Sequence, residues 1–96
     1  MHKFMLWLKA DRDIDHIADH SLEVWWESQT LDYITNLLQC FNIIVINPEL
    51  GRSAAEYATH LKRFNYKAHT IFYEPTKTGI FVVRILDQRQ DFARHL

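Results

Sequence analysis

Apolar positions recur along this chain with two different periods, and the change from one to the other divides it near the middle. Lys3 to Leu8, KFMLWL, is a short run of large side chains, long enough for a strand and too short for a buried helix. Behind it Ile14, Ile17, Ala18, Leu22 and Trp25 recur at three- and four-residue spacing, the stripe of a first helix. Asp11, Asp13 and Asp15 fall at its start, where carboxylates interact favourably with the positive helix end. Leu31, Ile34, Leu38, Phe41 and Val45 form the stripe of a second helix, with Ser28 placed to cap it. The few residues around WESQ predict an antiparallel helical hairpin, and pattern alone leaves one long helix open as the alternative. Asn47-Pro48 stops the helix, because proline lacks the amide donor and disfavours a helical residue before it. Gly51 then offers a position able to take positive φ.

From residue 61 onward the period becomes two. Leu61 to Tyr66, Ala68 to Glu74 and Gly79 to Leu86 are rich in aromatic and β-branched residues, and PTKTG between the last two is hairpin-turn chemistry. Strict alternation in the last strand assigns Phe81, Val83 and Ile85 to one face and Ile80, Val82, Arg84 and Leu86 to the other. The first, wholly apolar face is expected to pack on the helices, with the Arg84 face partly covered by the tail. The prediction is an α+β fold of order β-α-α-β-β-β, an antiparallel sheet packed on a two-helix hairpin with a short C-terminal segment. No internal repeat or low-complexity linker interrupts it.

A chain of 96 residues predicts a single domain, residues 1–96, and its 48% hydrophobic content argues for a packed core over a disordered chain. The lone Cys40 cannot form an internal disulfide, and its place in a helical stripe beside Phe41 favours burial over reactivity. With no signal-peptide pattern at the start, and Phe4 to Leu8 too short to span a bilayer, the expected compartment is the cytoplasm. Net charge is −1, but the halves differ: residues 1–48 carry three basic and seven acidic side chains, residues 49–96 eight basic and five acidic. An anionic partner is therefore expected on the second half.

Histidines invite a metal reading, since His16 and His20 share a helix face beside Asp13 and Asp19. No cysteine pair or His-Glu-x-x-His pattern supplies further ligands, so a solvated acidic helix face is the preferred reading and no metal or cofactor is expected. No serine or cysteine stands in a nucleophile-elbow context, and two glycines cannot build a phosphate-cradling loop. The remaining chemistry is the basic set Lys62, Arg63, Arg84, Arg89 and Arg94 with His95. It can hold an acidic segment or nucleic acid through charge-assisted bonds. It can also cleave RNA, with a base on the 2′-hydroxyl, arginines on the phosphate and an acid at the leaving oxygen. An ordinary wet edge, its arginines neutralised by Asp87 and Asp91, is the third reading.

Taken together these stretches resemble the ParE/RelE toxins of bacterial type II toxin-antitoxin modules, and within them the ParE branch of plasmid stabilisation proteins. Asn47, Pro48, Leu50, Gly51 and Arg52 match a motif of that branch after the second helix. Arg63, Phe64, His69, Ile71, Phe72 and Tyr73 match its middle strands, and Arg84, Ile85, Leu86, Arg89, Asp91, Arg94, His95 and Leu96 its C-terminus. Asp87, Gln90 and Lys67 depart from the branch, which often has histidine, methionine and glycine there.

The resemblance implies a toxin that inhibits DNA gyrase without being an enzyme, in a hetero-oligomer with a cognate antitoxin whose acidic, disordered C-terminal segment folds onto it. The RelE branch implies the alternative, a ribosome-dependent mRNA endoribonuclease using Arg63, Arg89 and His95. Thr70 stands where RelE-like sequences tend to carry arginine, which thins that set. A further alternative is an inactive, toxin-derived binding module, suggested by Asp87 and the near-neutral charge. Under the leading reading, Lys62, Arg63, Arg84, Arg89, Arg94 and His95 contact the target or the antitoxin.

Overall fold

The computed structural model describes residues 3–96. Strand β1 (Lys3–Leu6) leads into helices α1 (Leu8–Val24) and α2 (Glu27–Ile46), a 3-10 turn (Pro48–Leu50), strands β2 (Arg52–Ser53), β3 (Lys62–Tyr66), β4 (His69–Pro75) and β5 (Gly79–Asp87), and a final turn of helix, α3 (Phe92–His95). The α+β layering is as expected, and the break at Trp25 and Trp26, both in extended backbone, makes two helices of the hairpin. Trp26, not Ser28, occupies the N-cap of α2, and no side chain caps it. The three later strands sit within one residue of their observed limits and β1 ends two residues early, at Leu6, while β2 is a two-residue addition too short for sequence periodicity to register.

The sheet order is β1-β5-β4-β3-β2, and β1 runs parallel to β5, so the sheet is mixed where an antiparallel one was expected. A parallel neighbour needs a long crossover, which the helical hairpin supplies. Gly79 starts β5 at φ +155, and a Cβ there would run into the Lys3 carbonyl. Gly51, by contrast, has φ −73, so its role is space and not positive φ. A Cβ on it would strike the Tyr73 hydroxyl, which accepts from the Gly51 amide (2.8 Å) and donates to the Pro48 carbonyl (2.8 Å). The buried Tyr73 thereby clamps the turn against β4.

Strict alternation fails in β5. Tyr73 pairs with Val82 and Phe72 with Arg84, which leaves Val83 as an extra residue, a β-bulge. The bulge shifts the phase of the strand, so Ile80, Val82 and Ile85 face the helices, against the expected set Phe81, Val83 and Ile85. They pack with Ile17 of α1 and with Tyr33, Leu37, Phe41 and Ile44 of α2. That α2 face lies one position around from the expected stripe: Leu31 is 65% exposed, and Ile34 and Leu38 pack only at the margin. On the other side of the sheet a smaller core gathers Ala54, Leu61, Phe72 and Leu86 under Tyr57, Phe92 and Leu96.

Helix α1 departs most from its stripe. It starts at Leu8, its first turn holds Asp11 alone of the three aspartates, and its buried residues are Ala10, Asp13, Ile17 and Ser21, while Leu22 is half exposed. Asp13 is buried for a specific reason. β1 covers β5 only from Gly79 to Val82, which leaves the rest of that strand edge open. Asp13 Oδ2 accepts the Ile85 amide (2.9 Å) and Arg84 Nε (2.7 Å), and Oδ1 accepts Arg84 Nη2 (2.9 Å). Arg84 Nη1 donates onward to the His95 carbonyl (2.8 Å), which ties the tail to the same point.

Replacing Asp13 by alanine leaves Arg84 and the Ile85 amide without their partner, and breaking such a buried pair costs about 3–5 kcal/mol. Urea unfolding followed by circular dichroism should show that loss for Asp13→Ala. The double variant Asp13→Leu/Arg84→Met should recover a large part of it, because both charges are then gone; no recovery would mean that the amide contact dominates.

His69 makes stability depend on acidity. Its Nδ1 lies 2.7 Å from the Tyr33 hydroxyl, and burial lowers its pKa, with Asp87 opposing the shift. A histidine kept neutral by the fold stabilises it above the ordinary value of about 6.5, and that contribution is lost as pH falls through the lowered folded value. The urea midpoint of the wild type should therefore drop more steeply between about pH 7 and pH 5 than that of His69→Gln.

Candidate functional site

The basic set expected to form one docking end is distributed over three places. Arg63 lies on β3 with its side chain on the face away from the helices, beside a cleft of about 490 Å³ that Arg52, Asn65, Thr70, Gln88 and Phe92 also line. Arg52 and Arg63 are direct cross-strand partners, a like-charge pairing that costs stability unless something anionic offsets it. Glu56 offsets it in part, with its Oε2 3.1 Å from Arg63 Nη2. Asn65 and Thr70 bond to each other across the cleft floor (2.8 Å), which fixes the Asn65 amide. Arg52 is the contributor that sequence reasoning did not assign to the site. Its signal was its position directly after the Leu50-Gly51 turn, where a return strand must pair with β3.

Lys62, the next residue on β3, points to the other side of the strand and meets Glu49 at 3.2 Å, its side chain only 20% exposed. Arg84, as described, has a side chain 13% exposed and is held by Asp13 and the His95 carbonyl. Its guanidinium is a structural tie before it is a contact for anything else.

Arg89 is exposed, with 87% of its side chain accessible. Asp87 holds it through Nε (3.1 Å) and Nη2 (3.2 Å), and accepts the Arg89 amide as well (2.8 Å). The Arg89 guanidinium in turn lowers the pKa of Asp87, and Asp87 raises that of Arg89. Gln90 closes the same turn, its side-chain oxygen accepting the Asp87 amide at 2.8 Å. Asp87 and Gln90, the two tail departures from the resembled branch, thus build one tight turn together. Arg94 sits exposed on α3, and among the described residues it has no ion-pair partner.

His95 lines a different cleft from Arg63, one of about 440 Å³ between α1, β4, β5 and the tail, together with His16, His20 and His69. Arg89 lines neither cleft. A base, a phosphate-holding arginine and an acid must reach one substrate within hydrogen-bond distance. Arg63 and His95 stand in different clefts, so no one of these clefts holds all three residues of that set. Among the described residues no three His, Cys, Asp or Glu side chains converge as ligands of a metal ion, His16 and His20 included. Among them too, no helix is long and apolar enough to cross a membrane.

Comparison with known proteins follows the same outline. A solved structure described as a chromosomal ParDE TA system from P. aeruginosa superposes with a TM-score of 0.77 over 91% of this chain and 96% of that one, at 15% sequence identity, which is a likeness of fold. A search of curated proteins finds no match. The family model for the ParE toxin of the type II toxin-antitoxin system, parDE, matches residues 6–92, from the end of β1 to the start of α3. With nearly its whole length matched, the chain belongs to the ParE toxin family of type II toxin-antitoxin systems.

Proposed function

We propose that residues 1–96 act in the cytoplasm as one toxin domain that inhibits DNA gyrase by binding it, and that a cognate antitoxin neutralises it through an acidic C-terminal segment. The observation that carries this reading is that Arg63 and His95 line different clefts and Arg89 lines neither, which speaks for a binder over a ribonuclease. The cleft where Arg52 and Arg63 stand side by side supports an anionic contact there, since a partner carboxylate would relieve their mutual repulsion. Arg89 and Arg94 extend the same basic character along the exposed tail. Lys62 and His95 complete the contacting set, and Arg84 serves it by holding the tail in place.

Purified toxin should block supercoiling by gyrase or trap it on cleaved DNA at near-stoichiometric ratios. Unaffected gyrase, combined with mRNA cleavage in a translating extract, would replace this reading by the endoribonuclease one. Unimpaired growth on expression of the folded protein without antitoxin would instead point to the inactive binding module.

Charge reversal tests the antitoxin contact separately. Arg52→Glu/Arg63→Glu should weaken antitoxin binding about tenfold or more, with a shallower salt dependence, because two attractive pairs become repulsive. Equal affinity of variant and wild type in titration calorimetry would move the acidic segment elsewhere.

A further inference from the structure

Four of the six histidines of this chain, His16, His20, His69 and His95, line one cleft of about 440 Å³, although they come from α1, β4 and α3. None of them is needed for the gyrase reading except His95, and only folding brings them around one cleft.

The carboxylates around the cleft each have a nearby basic partner. Asp13 is bonded to Arg84 and Asp87 to Arg89, while Glu23 stands 3.9 Å from His20. From α2 Tyr33 faces the set, its hydroxyl meeting His69 Nδ1. The imidazoles therefore decide the charge of the cleft, and histidine is the side chain that changes charge near neutrality. A neutral imidazole offers one ring N–H donor, and a protonated one offers two with a positive charge.

Their arrangement selects among ligands. They surround the cleft without converging, since among the described residues no three His, Cys, Asp or Glu side chains could hold one metal ion. A polyatomic anion suits such a wall, because separate oxygens can each reach a different donor. Arg84 lines the cleft with three of its five N–H donors bonded to protein, the other two having no partner among the described residues, and Gln90 adds a side-chain amide. We propose that this cleft is a binding site for a phosphoryl group, free or carried on a small molecule, and that it holds the group more tightly as the pH falls through the histidine range. Burial disfavours the charged form of His69, while His16, His20 and His95 are exposed.

The pH dependence has a sign that the ligand cannot mimic. A phosphoryl group loses its second proton near a pKa of about 6, so its own titration would strengthen binding as pH rises. Binding that weakens as pH rises is the mark of the imidazoles.

The test is a titration of the full chain with inorganic phosphate, following the histidine ring resonances by NMR at about pH 6 and about pH 8. Saturable shifts of His16, His20 and His95 are expected at the lower pH, with affinity falling about tenfold or more at the higher one. His16→Gln/His20→Gln, both on the exposed side of α1, should lose about tenfold at the lower pH and little at the higher. If that variant alters the amide spectrum, His95→Gln provides the same comparison. Glucose 6-phosphate in place of phosphate separates the sources: tighter binding identifies a phosphorylated small molecule, and equal binding identifies free phosphate. No shift, equal affinity at both pH values, or the same response to acetate at matched ionic strength would overturn the proposal.

Discussion

The carboxylate of Asp13 is the point on which this fold turns. A strand edge with unpaired amides must be covered or satisfied, and β1 stops at the partner of Val82, short of the second half of β5. Asp13 takes the place of the missing strand at Ile85 and grips the Arg84 guanidinium beside it. That fixes how α1 lies over the sheet. Through Arg84 and the His95 carbonyl it also fixes the tail, whose Phe92 and Leu96 cover the second, smaller core. The helix-facing core and the tail-facing core are thus joined by one ion pair. Aromatic contacts such as Phe72 with Phe92, ring centroids 5.0 Å apart, complete a closure that Arg84 positions.

The elements themselves were legible because each is long enough to show its period. The helices, the three long strands and the layering all follow from apolar spacing, while the two-residue β2 and the parallel direction of β1 escaped it. Strand direction depends on the path of the crossover, which no spacing within Lys3–Leu6 can encode. Val83 is the instructive failure. Alternation read through a bulge assigns every residue on one side of it to the wrong face, and VVRIL contains nothing local that marks an inserted residue. Asp13 was read as one more carboxylate near a helix start because its partner, Arg84, lies 71 residues away.

Much the same limit applies to the site. The basic residues could be picked from composition, but their grouping is a matter of which side of β3 a residue points to and how the tail folds. Lys62 and Arg63 are neighbours in sequence and face different clefts. Arg63 and Arg52 are distant in sequence and directly opposed in register. His16 and His20 looked like a partial metal site because only two ligands were visible on one helix. The other two histidines of that cleft arrive from β4 and α3, and all four together make a wall for an anion and not a cage for a cation.

A last consequence concerns how such a surface could bind an acidic partner at all. Besides Arg84 with Asp13, three of the basic side chains already have an acid of their own: Lys62 has Glu49, Arg63 has Glu56, and Arg89 has Asp87. An incoming carboxylate at those positions exchanges one ion pair for another, and exposed pairs are worth little to begin with, about 0 to 1 kcal/mol each. Charge can steer the encounter and fix the register, while affinity must come mainly from buried apolar area. The chain exposes such area generously: Trp26 is 79% exposed, Ile46 76% and Leu31 65%, all on or beside α2, the helix whose apolar stripe exceeds what the sheet can cover. Under the proposed function the surplus stripe and the basic sheet edge are therefore complementary parts of one recognition problem. The arginines decide which segment approaches and in what orientation, and the uncovered apolar side chains decide how long it stays.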